Sequence, residues 1–287
     1  MKKTVLGFCV FLMSISFGLF AHSIPLTKGL RKIECQIEPV APFSKSKLAN
    51  YQPGKKTGPR MSAIASKSLN WSGYASFTSS TDPEVGSVTG VWGNWTVPKL
   101  HPSHANRYSS CWVGIDGYSN STVEQIGTAQ EWSAGHQVNY AWFSLYPGAT
   151  YEITGFPVQP MDTMRALVSY IGNDVFEMVL ENITQGVYVL IPGYYTTAPS
   201  TERNSAEWIV EAPSSDVAIL PLSHFSPVSF SGCLASIRGG SQRINSSRWK
   251  NSRITMVTSG DKNGVIKAKP SHLSHDGKNF TVKWNHR

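Results

Sequence analysis

The side chains able to do chemistry in this 287-residue chain are scattered, and most familiar constellations are missing. No Gly-x-Ser-x-Gly elbow presents a serine, no cysteine has a neighbouring histidine motif, and no Asp-Thr-Gly or Asp-Ser-Gly offers a paired-aspartate site. The histidines are dispersed. His101-x-x-His104 falls in a Pro/Ser-rich stretch without the geometry of a metal-binding helix, so no metal is expected. No Walker loop or dinucleotide fingerprint appears between a strand and a helix, so no cofactor is expected either. What remains are carboxylates and amides inside strand-like runs. Alternation puts Gln125 on a face with Val123 and Gly127, and Glu207 on a face with Ser205, Ile209 and Glu211. A strand carboxylate is costly to bury unpaired, so a solvated position is the default for Glu207. For Gln125 the default is an amide satisfied within the core.

The elements that must position these groups read as strands. From Trp71 onward, short alternating or aromatic-rich runs are separated by Gly, Pro, Asn and Ser, with no long amphipathic helix. The pattern predicts strands at 88–97, 109–116, 121–127, 138–146, 164–171, 175–181, 187–191, 205–211, 217–220, 227–231, 253–258 and 279–284. This spacing fits two packed antiparallel sheets, an all-β sandwich. In 138–146, Val138, Tyr140, Trp142, Ser144 and Tyr146 share one face, so an aromatic face could line a groove or pack in a core. In 109–116, Trp112, Gly114 and Asp116 face away from Cys111, Val113 and Ile115.

The net charge of +8 is unevenly distributed. Residues 61–237 hold 5 basic against 14 acidic side chains, while 238–287 hold 11 against 2. A basic leader and a basic tail thus flank an acidic middle that carries most of the aromatics. This layout argues against a nucleic-acid groove, which needs interleaved cations and stacking rings. Four cysteines without a C-x-x-C pair exclude a disulfide-built scaffold and a zinc knuckle.

The amino terminus, Met1-Lys2-Lys3 followed by an apolar run from Val5 to Phe20 and small residues at Ala21 and Ser23, reads as a signal peptide over 1–23. No later stretch reaches the ~18 uninterrupted apolar residues of a membrane span, so no stable insertion is expected after its removal. Residues 24–60 carry 8 basic and 2 acidic side chains with several prolines and little alternation. They read as a flexible leader or a removable propeptide drawn to the acidic middle, a self-association that carboxylate protonation would weaken. The folded body is expected over 61–287. The short Lys-Lys start suggests a secreted or periplasmic protein of bacterial origin.

Two classes survive: an exported β-sandwich hydrolase, and an aromatic-rich carbohydrate- or peptide-binding module. Several ordered motifs decide between them. Asn70-Trp71-Ser72-Gly73, Cys111-Trp112-Val113-Gly114-Ile115-Asp116-Gly117, Val123-Glu124-Gln125-Ile126-Gly127, Ala141-Trp142-Phe143-Ser144-Leu145-Tyr146-Pro147 and Ala206-Glu207-Trp208-Ile209-Val210-Glu211 together resemble the glutamic peptidases, or eqolisins. The resemblance runs from about Trp71 to at least Val257. It implies a bent, concanavalin-like double-sheet sandwich that binds an extended polypeptide and cleaves internal peptide bonds in acid, without metal or acyl-enzyme. Gln125 and Glu207 match the catalytic pair. Trp112, Asp116, Trp142, Tyr146 and Trp71 match residues of the cleft or behind it. Glu124 and Glu211 are left as solvated side chains. Ser144 departs from the glutamate that fungal relatives commonly place there. With Cys35 lost in the leader, Cys111 and Cys233 remain as a possible disulfide in an oxidising compartment. The reading is an exported glutamic endopeptidase; the alternative is a catalytically inactive binding sandwich.

Overall fold

The computed structural model describes residues 26–40, 65–195, 201–215, 218–259 and 264–286. The expected signal peptide and the rest of the leader lie outside them. In chain order the strands are β1 (Arg31–Lys32), β2 (Gln36–Pro39), β3 (Ala65–Ser68), β4 (Trp71–Phe77), β5 (Val88–Thr96), β6 (Arg107–Ile115), β7 (Val123–Ser133), β8 (His136–Tyr146) and β9 (Thr150–Thr154). They continue with β10 (Thr163–Gly172), β11 (Val175–Asn182), β12 (Val187–Tyr195), β13 (Ser205–Glu211), β14 (Val228–Ile237), β15 (Gly240–Arg243), β16 (Lys250–Val257), β17 (Ile266–Pro270) and β18 (Phe280–Trp284). No helix among the described residues is long and apolar enough to cross a membrane.

Strand pairing builds two layers. One sheet runs β2–β9–β8–β7–β6–β13–β4–β16, with β3 beyond β16. The other runs β1–β12–β11–β10–β5–β14. Strands β17 and β18 carry the pairing from β16 round to β14, joining the layers at one side. The expected all-β sandwich is therefore present. Its pairing is mixed, because β1 runs parallel to β12 and β3 parallel to β16.

Alternation explains what lies between the layers. Val113, Ile115, Ile126, Phe143 and Trp208 of the first sheet meet Val91, Trp95, Met164, Val168, Met178 and Phe230 of the second in one buried cluster. Each such side chain withdrawn fully from water favours folding by roughly 1.5–3 kcal/mol. Cys111 and Cys233 belong to this cluster and are free thiols, so the possible disulfide between them is not formed. Their sulfurs have different neighbours. Cys111 Sγ donates to Gln130 Oε1 at 3.5 Å, and Cys233 Sγ lies against Gly93 beside the Trp208 indole.

The leader shows an arrangement that its composition conceals. Within residues 26–40, β2 adds to the free edge of β9 and β1 to the edge of β12, so one short segment links both sheets opposite β17 and β18. Ile33, Cys35 and Ile37 pack on the core cluster. Glu181, paired with Arg165 at 3.3 Å, accepts hydrogen bonds from Thr27 N at 3.1 Å and Thr27 Oγ1 at 2.5 Å. Strand pairing and one buried carboxylate hold this piece, rather than a diffuse attraction to the acidic middle.

Strand β4 also lies outside the predicted set. Its small residues hide the period, and the tertiary contacts explain them. A Cβ on Gly73 would stand 2.0 Å from the carbonyl oxygen of Trp208 on the neighbouring strand. Gly73→Ala should accordingly destabilise the fold by about 3 kcal/mol, the upper part of the overpacking range, read as a lower urea midpoint with unchanged slope.

Candidate active site

Directly paired residues of adjacent strands project to the same face, so register alone places the candidate side chains. Ser144 on β8 pairs with Gln125 on β7, Gln125 with Gly114 on β6, and Gly114 with Glu207 on β13. The row continues through Ala75 on β4 to Ser252 on β16. Gln125 and Glu207, 82 positions apart in the sequence, thus face each other across one glycine, two interstrand spacings or about 10 Å between backbones. They lie on the face turned away from the second sheet. A Cβ on Gly114 would come within 3.1 Å of Gln125 Cβ and 3.0 Å of the Trp112 ring. A side chain there would fill the space between the amide and the carboxyl.

The next row supplies the aromatic floor. Trp142 pairs with Gly127, Gly127 with Trp112, and Trp112 with Ile209. Gly127 makes room for the neighbouring indole, since a Cβ there would meet Trp112 Cβ at 2.6 Å. Trp71 packs edge-on against Trp112, with ring centroids 5.0 Å apart at 78°. Trp71, Trp112 and Trp142 are buried with Ala75, Phe77, Tyr118, Val123 and Ile209 in a second cluster on this face, and half-exposed Tyr146 packs on its rim. All five expected aromatic and acidic neighbours, Asp116 included, stand in the region around Gln125 and Glu207.

Asp116 has a well-defined task. Its backbone is left-handed, with φ of 71°, and its carboxylate accepts hydrogen bonds from the N–H groups of Arg203 at 2.6 Å and Asn204 at 2.8 Å. Thr122 Oγ1 adds a bond at 3.3 Å. Asp116 therefore fastens the turn after β6 to the entry of β13, which holds Glu207 in register with Gly114. Burial pushes its carboxyl upward, and the Asn204 and Arg203 N–H groups pull it back.

Glu207 and Gln125 are both fully buried, and none of their four side-chain oxygen and nitrogen atoms has a hydrogen-bond partner. Ser144 Oγ in the same row is likewise unpartnered. The solvated default for Glu207 and the satisfied-amide default for Gln125 both fail, because both side chains are buried without hydrogen-bond partners. Burial holds the Glu207 carboxyl well above its ordinary range. The Ser205 hydroxyl, just outside hydrogen-bond geometry, offsets this in part, and the charge of Asp116 adds to it.

Two further carboxylates depart from the expected solvated roles. Glu211 is buried on the Glu207 face, where it accepts hydrogen bonds from Trp112 Nε1 at 2.8 Å and Asn70 Nδ2 at 3.1 Å, fixing the indole beside Gln125. Glu124 faces the opposite way, toward the interior between the sheets. It is fully buried with neither oxygen partnered, and burial, then Asp116 and Glu207, hold its carboxyl well above the usual value. Alternation correctly turns Glu124 away from Gln125, but that side of the strand is core. Gly114 and Tyr118 are further site components that the sequence pattern does not single out. Gly114 stands inside a quoted motif; only the strand register reveals its role. Among the described residues, no group of three His, Cys, Asp or Glu is placed to hold a metal ion.

The buried acids set a pH dependence. A carboxyl whose folded pKa exceeds its unfolded value near 4.3 contributes its full stability below that value, and the contribution is lost as pH rises through the folded pKa. Glu124 and Glu207 both act in this direction, so the urea midpoint should be higher at pH 4 than at pH 7. Glu124→Leu should raise stability at pH 7 by roughly 1–3 kcal/mol, by removing an unsatisfied buried polar group, with a smaller gain at pH 4.

Comparison with known proteins agrees with this architecture. A model of the Peptidase A4 family matches residues 69–281. Aspergillopepsin-2 of Aspergillus niger is 26% identical over 155 residues, 52% of each chain. Scytalidopepsin B of Scytalidium lignicola is 28% identical over 143 residues, 47% of this chain and 54% of its own. The chain spans about half the length of these curated relatives in the matched stretches. Among solved structures, scytalido-glutamic peptidase with a transition state analog inhibitor superposes with a TM-score of 0.62 at 21% identity, covering 76% of this chain and 98% of that one. Aspergilloglutamic peptidase from Aspergillus niger gives 0.53 at 22% identity, covering 62% and 99%. These relatives are fungal, which corrects the bacterial origin suggested by the short Lys-Lys start. With the matched region covering most of the chain, the protein belongs to the Peptidase A4 family.

Proposed function

We propose that this chain is an endopeptidase that hydrolyses internal bonds of extended or unfolded polypeptides in acid, using a water held between Glu207 and Gln125. The observation that carries this reading is the row Ser144–Gln125–Gly114–Glu207, in which an amide and a carboxyl face one another across a glycine with all their polar atoms unpaired. A water and a peptide group would satisfy those atoms. Ionised Glu207 takes a proton from the water as its oxygen attacks the scissile carbonyl carbon. Gln125 accepts from that water through Oε1, and through Nε2 donates to the oxygen on which negative charge develops. Collapse breaks the C–N bond, and the proton held by Glu207 passes to the departing amine. No covalent enzyme intermediate forms. Trp112, Trp142, Tyr146 and Trp71 wall the groove and exclude water, which strengthens the Gln125 contact.

The same reading treats residues 1–23 as an export signal and 24–60 as a precursor segment that associates with its own body. Pairing of β1 with β12 and β2 with β9 supports that association, and these backbone hydrogen bonds do not titrate. Loss of charge in acid therefore weakens only part of the attachment.

The test is cleavage of an unfolded protein between about pH 2 and pH 7. Gln125→Ala should fold normally and lose about 10²–10³-fold in kcat, the usual consequence of removing one oxyanion donor. Glu207→Gln should lose at least as much, and a chelator should leave the wild type unaffected. Full activity in both correctly folded variants would refute the assignment.

A further inference from the structure

Tyr118 lies in the turn between Asp116 and β7, outside every motif that points to the reaction, yet it is only 2% exposed. Its ring stacks on Phe77, with centroids 4.8 Å apart and planes at 12°. Its hydroxyl reaches the Ser66 and Ser252 hydroxyls, which are hydrogen-bonded to each other at 3.0 Å. Ser252 is the far end of the row Gly114–Glu207–Ala75–Ser252. The ring therefore starts from the end of β6 and crosses the sheet toward β16, over Ala75, whose single methyl leaves the space. That course follows the row in which Ala75, buried in the same cluster as the ring, pairs directly with Glu207. The turn that carries it is tied down by Asp116 at one end and by Gly117 N donating to Asn120 Oδ1 at 2.8 Å.

We propose that Tyr118 is a positioning residue for the reaction: its ring walls the Glu207 carboxyl off from bulk water on the β4–β16 side and so keeps the base in a dehydrated environment. This rests on the endopeptidase reading, in which Glu207 must be ionised to begin the reaction. Without the ring, water reaches the carboxyl, its ionised form is favoured, and the base becomes competent at lower pH. The hydroxyl anchors the ring but is not itself the wall. The ring rather than the hydroxyl should therefore bear on where Glu207 titrates, alongside the Asp116 and Glu124 carboxyls and the Ser205 hydroxyl near it.

The experiment compares wild type, Tyr118→Ala and Tyr118→Phe, each checked for folding by its melting temperature at pH 4. Two readouts are followed against pH: kcat/KM on an unfolded protein, and the NMR shift of the Glu207 carboxyl carbon, which needs no turnover. In Tyr118→Ala both should move to lower pH by roughly one unit, while Tyr118→Phe stays with the wild type. Should Tyr118→Ala fail to fold, Tyr118→Leu, which is shorter than the stacked ring, is read in the same way. An unmoved titration in the shortened variant, or an equal shift in Tyr118→Phe, overturns the proposal even if Glu207→Gln is inactive. Retained activity in Glu207→Gln, with the carboxyl still shifting as expected, instead removes the catalytic reading and leaves the wall in place.

Discussion

An amide and a carboxyl can share one small space on a sheet only if the strand between them contributes no side chain. Gly114 meets that condition. It pairs with Gln125 on one side and Glu207 on the other, and an added Cβ would press on Gln125 and Trp112 at once. The rest of the first sheet is arranged around this gap. Gly127 and Gly73 let Trp112 and Trp208 pack without lifting the strands apart, and the Asp116 carboxylate locks the end of β6 to the start of β13. Slippage of β13 by one residue would turn Glu207 into the inter-sheet core.

Enclosing the row has an electrostatic cost that the fold accepts in one direction of pH. Glu207, Glu124 and Asp116 are all buried carboxyls held upward by desolvation, and their charges disfavour one another. Protonation relieves this, so acid conditions suit the folded state, whereas the proposed chemistry needs one of these carboxyls ionised. The two demands oppose each other at Glu207, which must lose a proton to act as a base. With its carboxyl held upward by burial, Glu207 is ionised as a base only toward the less acidic side of the acid range.

The leader belongs to the same physical account. Two sheet edges, at β9 and β12, are left free by the order of the strands, and such edges invite pairing. Residues 26–40 cover both, with Ile33, Cys35 and Ile37 set on the core. A segment whose composition reads as linker thus becomes part of the layered structure through backbone hydrogen bonds, to which composition is nearly blind.

The sequence by itself determined the strand class, the faces of the runs at 109–116, 138–146 and 205–211, and, through ordered motifs, the family. These are properties of period two and of short-range residue choice, and they survive in any single chain. It could not reveal β4, where close packing against Trp208 demanded glycine and erased the alternation. Nor could it tell that Glu124 and Glu211 are buried, since alternation separates two faces without saying which of them meets water. The row through Ser144, Gln125, Gly114 and Glu207, the covering ring of Tyr118, and the separate surroundings of Cys111 and Cys233 were decided by tertiary structure alone. Each depends on register or packing between segments far apart in the chain, and that information is set by the energy of the assembled sheets rather than by any local run of residues.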